Sequence, residues 1–349
     1  MVVLLLNVLP ARAAAPLHRC ALEDWPAENY HAYVFHHGPL DPADQELVDV
    51  LSSAPPKLGV NLLVSTVDTL KEMDAAVEAL WNTQTNAEPP WLVVLSSRRD
   101  ATNAMVWATA LRTPSVGAIL GSPARSRIAE SLLEGDSAVW LLVECGDTVR
   151  DEAAVDLLSS ELKRLEKELR PAKAGPGNQI KSGLPLIPHF ALIRVTRVDV
   201  AEEFLLNTLL AAEDAVQRPM AFPIFGRGRV LPSLTGRHLN EEAIGRHCKL
   251  LIGDCTNEIR ETTQGSELLL GAHWNSIFEK ASPVTPIPST AAKATPTSET
   301  LNSSVTNAVS ETSSSSLPEP GSFAGFAAAL ILAAVVGFAL MKVWRPRQP

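Results

Sequence analysis

Four cysteines in 349 residues are few, and they are scattered at positions 20, 145, 248 and 255. No G-x-S-x-G, Walker A or H-E-x-x-H pattern occurs, which excludes by motif a nucleophile-elbow hydrolase, a P-loop NTPase and a helix-borne zinc protease. No long block of basic residues is present and the net charge is −9. A general affinity for nucleic acid is therefore not expected. Residues 282–320 contain few large apolar side chains and are dominated by Ser, Thr, Pro and Ala. Such a stretch cannot build a core and reads as a disordered tether, with a root-mean-square span of about 35 Å.

Apolar segments are present at both ends. "MVVLLLNVLPARAAA" has the apolar run and small-residue stretch of a secretory signal (residues 1–15), with cleavage after Ala13 or Ala15, although no charge precedes Val2. Residues 321–341 include "FAGFAAALILAAVVGFALM", an uncharged run that suffices to cross a bilayer core of ~30 Å. The basic tail 342–349 carries Lys342, Arg345 and Arg347, which the positive-inside rule keeps cytoplasmic. The expected location is thus a single-pass membrane protein with its folded part extracytoplasmic. Gly325, Ala329, Ala333 and Gly337 recur every four residues and could pair helices in a homodimer, or simply belong to an Ala-rich anchor.

Between the ends lies a body of residues 17–281, and a chain of this length suggests about two domains. Strand patterns fall at 32–36, 59–67, 91–96 and 104–111, then at 137–144, 189–196, "MAFPIF" and "RVLPSL". Helices are signalled by Asp41-Pro42, by Leu70, Met73, Val77, Leu80 and Trp81, and by Ser122-Pro123 with Gly135 at the end. Further helices are expected over 151–170, after an Asp199/Glu202 capping box, and from Asn240 to about Ile252. The first half (17–135) and the second (136–281) both read β-α-β-α-β-β-α.

That order resembles the thioredoxin-like fold, so the fold class is α/β with two tandem thioredoxin-like domains. In that family a strand delivers Cys-Gly-Pro-Cys to a helix start, and a cis-proline precedes the third strand. Here His37, Gly38, Pro39 and Leu40 stand at the motif, with Pro90 at the proline position. In the second half Cys145-Gly146-Asp147-Thr148 takes the motif's place and Pro219 the proline's. The resemblance implies no dithiol chemistry in the first half. It leaves a monothiol variant in the second, with Cys145 as attacker and Thr148 and Pro219 shaping the site. Separately, Pro318-Glu319-Pro320 before the apolar helix resembles a PEP-CTERM sorting segment, and a Pro-rich hinge before a permanent anchor accounts for it equally well.

The remaining candidates have bland alternatives. His36 and His37 are adjacent, so on a strand they point to opposite faces and do not share a metal. Cys248 and Cys255 would lie ~10 Å apart along an unbroken helix, but Gly253-Asp254 reads as a helix stop that could turn the chain back into a local disulfide. A zinc set with His238 and His247 has irregular spacing and ranks below the disulfide. "FGRGR" (225–229) reads as a hairpin turn whose Arg227 and Arg229 could form an exposed anion spot. No cofactor and no metal are expected. The expected function is a non-catalytic binding or scaffold module of the bacterial envelope, with other envelope proteins as partners. The alternatives are a monothiol disulfide-handling enzyme or a sorted surface protein associated with exopolysaccharide.

Overall fold

The computed structural model describes residues 15–96, 105–170, 180–210, 217–262 and 267–281. The expected signal up to residue 14, the Ser/Thr/Pro segment, Pro318-Glu319-Pro320, the apolar span with its Gly325, Ala329, Ala333 and Gly337, and the basic tail lie outside the described residues. Among the described residues no helix is long and apolar enough to cross a membrane.

A helix that the pattern did not announce opens the body: α1 (Leu17–Asp24). The first sheet is built from β1 (Tyr30–His36), β2 (Leu62–Asp68), β3 (Trp91–Leu95) and β4 (Met105–Ala110). Its helices are α2 (Pro42–Leu58), α3 (Ala75–Asn82), α4 (Thr113–Leu120) and α5 (Pro123–Glu134). The Asp41 carboxylate caps α2 with Pro42 in the first turn, and Ser122 caps α5 with Pro123 behind it, as the sequence predicts. The helix expected from Leu70 starts only at Ala75, capped by Asp74, and Leu70 is left exposed in the preceding turn.

The second sheet follows with β5 (Ala138–Glu144), α6 (Thr148–Glu168), β6 (Phe190–Thr196), α7 (Glu203–Leu210) and β7 (Met220–Phe225). "RVLPSL" splits at Pro232 into β8 (Arg229–Val230) and β9 (Leu234–Thr235), both paired to β7. Helices α8 (Glu241–Ile252), α9 (Asn257–Thr262) and α10 (Ser276–Ala281) complete the body. Asp199 caps a short 3-10 turn, but Glu202 does not close a capping box with it. Its carboxylate instead accepts from the Ser122 hydroxyl and from the Ala124 amide (2.7 Å), satisfying the start of α5.

The two sheets share one topology. The first runs β2-β1-β3-β4 and the second β6-β5-β7-β8. In each the first two strands are parallel and the third is antiparallel to the first. This is the β-α-β-α-β-β arrangement expected from the thioredoxin-like resemblance.

Packing crosses the expected boundary at 135/136. Ala124, Ile128 and Leu132 of α5 bury against Val139, Leu141 and Val143 of β5. Leu17 and Ala21 of α1 bury on the other face, with Trp140 and Leu142. Residues 267–272 then run between the two halves as an extended strap. Leu268 and Leu270 enter the second sheet's core, while Leu269 enters the first's. That is the two-fold alternation of extended chain. Asn61 fixes it, donating to the Leu268 carbonyl (3.1 Å) and accepting from the Leu270 amide (2.8 Å). Gly59 ends α2 at φ 65°, and a Cβ there would meet the strap's Ala272 carbonyl at 2.4 Å, so only glycine fits.

Candidate functional site

The register places both candidate motifs beside their prolines. Phe35 pairs with Trp91, so His36 and His37 leave β1 next to Pro90, and Val143 pairs with Met220, which brings Cys145 next to Pro219. Pro89–Pro90 is the cis peptide among the described residues, and the bond before Pro219 is not cis. The second half thus departs from the expected pattern at that residue.

In the first half the motif is a turn tied to the end of β2. The Gly38 amide donates to Asp68 Oδ1 at 3.0 Å, and the Leu70 amide donates to the same atom at 3.1 Å. These bonds hold the Asp68 carboxyl below the usual carboxylate range. His36 Nδ1 meets its own turn at the Gly38 carbonyl (2.6 Å), whereas His37 Nδ1 lies 3.3 Å from the Thr69 hydroxyl. The two imidazoles therefore serve different partners. Leu40 precedes the Asp41 cap and packs at the edge of the first core. Among the described residues no group of three or more His, Cys, Asp or Glu is placed to hold a metal ion.

In the second half Cys145 is a free thiol, half-buried. Thr148 is the first residue of α6. The amides around the thiol are already used. The buried Asp151 carboxylate accepts from the Cys145 amide (2.8 Å) and the Gly146 amide (2.9 Å), while Asp147 caps Val149 and Arg150. A helix start activates a thiolate by offering it free N–H groups. Here two carboxylates take those groups. The flanking acids are themselves paired, Glu144 with Arg194 (2.5 Å) and Asp147 with Arg150 (3.2 Å).

The other cysteines do not complete a dithiol. The expected Cys248–Cys255 bond is not formed, and Cys255 bonds Cys20 of α1 instead. Gly253 takes an extended conformation (φ −72°, ψ −179°), not the left-handed one that would reverse the chain. The chain therefore runs on to α1, where the Cys255 amide donates to the Ala15 carbonyl (3.0 Å) and Leu17 donates to Gly253 (2.8 Å). Cys248 faces the core beside Trp140, and burial pushes its thiol well above the normal range. With Cys255 bonded and Cys248 sealed, the loose zinc set with His238 and His247 loses both sulfurs. Arg227 and Arg229 form no anion spot either. Arg227 donates to the Leu22 carbonyl (2.8 Å), and the buried Arg229 pairs with Glu267 (2.8 Å) over the Trp25 ring.

Two features escaped the motif reading. One is a buried polar junction between the halves. Arg125 donates to the carbonyls of Leu269 (2.9 Å), Ala118 (2.9 Å) and Ile119 (2.6 Å), and burial lowers it to about 10. It lines a cavity of about 150 Å³ with Leu58, Val60, Ser122 and Leu269. The helical position of Ser122 and Arg125 was legible, but their buried environment was not.

The other feature is an aromatic ladder on the outer face of β1. His31 stacks on Tyr33 at 4.1 Å, Tyr33 on Phe35 at 6.2 Å, and Phe35 packs on Trp81 of α3 at 4.9 Å. The alternation of His31, Tyr33 and Phe35 in the sequence was the signal for it. α3 buries none of its own residues over this face. The surrounding segment 68–88 carries Asp68, Glu72, Asp74, Glu78 and Glu88 against Lys71 alone.

No protein-family model matches the chain, and no curated protein matches it. Among solved structures it is similar to ERdj5 in crystal form I, at 10% identity over 68% of this chain and 28% of that one, with a TM-score of 0.22. It is similar to the zinc-bound form of human ERp44 at 12% identity, over 69% and 62% of the two chains, with a TM-score of 0.19. The first two thioredoxin domains of Saccharomyces cerevisiae Eps1p match at 9% identity, over 69% and 99%, with a TM-score of 0.21. The chain spans less than a third of the ERdj5 structures it matches.

Proposed function

We propose that the chain is an exported, membrane-anchored thioredoxin-like module that binds a polypeptide partner without redox chemistry. The observation that carries the reading is the capture of the Cys145 and Gly146 amides by Asp151, in a molecule whose other cysteines are bonded or sealed. A nucleophilic thiolate would need those donors, and a dithiol cycle would need a second accessible sulfur.

The Cys20–Cys255 bond supports an oxidising compartment, since such bonds persist outside the reducing cytosol. Signal cleavage after Ala13 retains the Ala15 carbonyl that Cys255 uses, so it is favoured over cleavage after Ala15. The anchor at 321–341 and the Pro318-Glu319-Pro320 segment remain part of the proposal through their sequence alone.

The binding surface is the outer face of the first sheet. Its half-exposed His31, Tyr33 and Trp91 offer aromatic area, and the acidic rim selects a segment with apolar side chains flanked by lysine or arginine. The test is fluorescence titration of the full chain in detergent with aromatic peptides flanked by either lysines or glutamates. Saturable binding of the lysine set, weakened by Tyr33→Ala and by salt, is expected. Equal binding of both sets, or none, would remove the surface from the proposal.

A further inference from the structure

We infer that β2 is a self-pairing edge, and that two copies of the chain join antiparallel through it into one continuous sheet. The described sheets leave as edges β2, β4, β6 and, both on β7, the two-residue strands β8 and β9. Exposed edges are templates for further pairing, and proteins blunt them with charge, bulges or shortness. β8 has two residues, β4 carries a register shift at Val94/Leu95, and β6 holds Arg194 in its middle, clamped by Glu144 and Glu152. β2 carries a charge only at its last residue, Asp68, and none of the other devices. It pairs with β1 over its full length, and "LLVSTV" (62–67) has no charge, proline or glycine.

Its free groups can be assigned from the bonds it already makes. Tyr30 N donates to Asn61 O, and Thr69 N donates to His36 O, so odd-numbered residues turn their backbone groups toward β1. Val64 and Thr66 therefore present theirs to the open side. A two-fold axis at Ser65 sets Val64 against Thr66 of the second copy, and these exchange backbone bonds as a hydrogen-bonded pair. Leu63 then faces Val67, apolar on apolar, and Ser65 faces Ser65 as the close, non-hydrogen-bonded pair. No like charges meet along this register.

The side chains around the edge fit the same occupant. Leu63 is 51% exposed on β2, and Val50 and Leu58 are exposed on α2, the helix that packs against it. A partner of different sequence would have to supply the same alternation, whereas a second copy supplies it by symmetry.

The test is the mass of the full chain in detergent by light scattering across a concentration series, with three variants. Ser65→Lys opposes two ammonium groups at the axis and is expected to abolish the dimer while leaving the circular dichroism of the monomer unchanged, with a small fall in melting midpoint from the lost Ser65 Oγ–His31 Nε2 contact (2.9 Å). Ser65→Cys is expected to form an intermolecular disulfide on mild oxidation, because residues in such a pair lie ~4.5 Å apart between Cα atoms, within the disulfide range. Gly325→Leu, in the small-residue stripe of the apolar segment, is expected to leave the dimer intact. A monomer at every concentration would overturn the inference. So would a dimer that survives Ser65→Lys, one that falls to Gly325→Leu alone, or a Ser65→Cys chain that fails to cross-link.

Discussion

The two central strands, β1 and β5, occupy the same place in the same topology and are buried differently. β5 has a core on each face: Val139, Leu141 and Val143 on one side, Ala138, Trp140 and Leu142 on the other. β1 has its larger core beneath Tyr30, Ala32 and Val34, and on its other face Phe35 and the neighbouring Val93 are buried while His31 and Tyr33 stay part-exposed beside a helix that buries nothing of its own. The second half is a closed three-layer unit that recruits α1 and α5. The first half is a sheet whose second face is only partly covered. One topology can thus carry the structural load in one copy and present a surface in the other, because burial is decided by what each face is packed against.

Trp140→Ala empties a fully buried site and is expected to cost about 3–5 kcal/mol, whereas Tyr33→Ala on the half-exposed ladder should cost about 1 kcal/mol. Denaturant midpoints measure both, and equal losses would mean that the two strands are not packed differently. Glu202→Ala strips the α5 amide and the Ser122 hydroxyl of their acceptor and removes the negative charge near the buried Arg125. It should cost about 3 kcal/mol and lower the denaturant midpoint.

A pH series sharpens the role of α1. His18 is buried on it with Nδ1 at the Leu251 carbonyl (2.9 Å), and burial, with Arg19 beside it, lowers its pKa from 6.5 to about 4. Between those values the unfolded chain binds more protons than the folded one. Stability is therefore full above about 6.5 and falls as pH drops to about 4, by up to about 3 kcal/mol. Thermal melts of the wild type and His18→Asn should converge over that window, and parallel curves would refute the buried neutral imidazole. The smallest effect is expected at the edge of the second sheet. Arg194→Ala removes two exposed ion pairs at a cost below about 1 kcal/mol, read as a slight fall in melting midpoint.

Much of this organisation was legible. The strands 32–36, 91–96 and 137–144 and the caps at Asp41, Ser122 and Asn240 follow from period and capping chemistry, which are local. Pro89-Pro90 was marked by composition and position. What escaped depends on partners far away in the chain. α1 earns its helix from the core it covers and a disulfide 235 residues away, and nothing at Cys20 signals that partner. The strap 267–272 has too few residues for a period, and its alternation has meaning only because two sheets flank it. Glu202 has the right spacing for a local box, yet it serves another helix, because spacing does not reveal which amides lie within reach. Cys145 itself was found by position, but the Asp151 carboxylate that takes its amide is visible only in three dimensions.

The proposed function requires that the thioredoxin-like fold act here without redox chemistry at Cys145. The direct measurement is catalysed disulfide reduction by the full chain, with a small dithiol as reductant, beside the Cys145→Ser variant. Rates indistinguishable from each other and from the uncatalysed reaction are expected. Turnover in the wild type that is lost in Cys145→Ser would contradict that requirement.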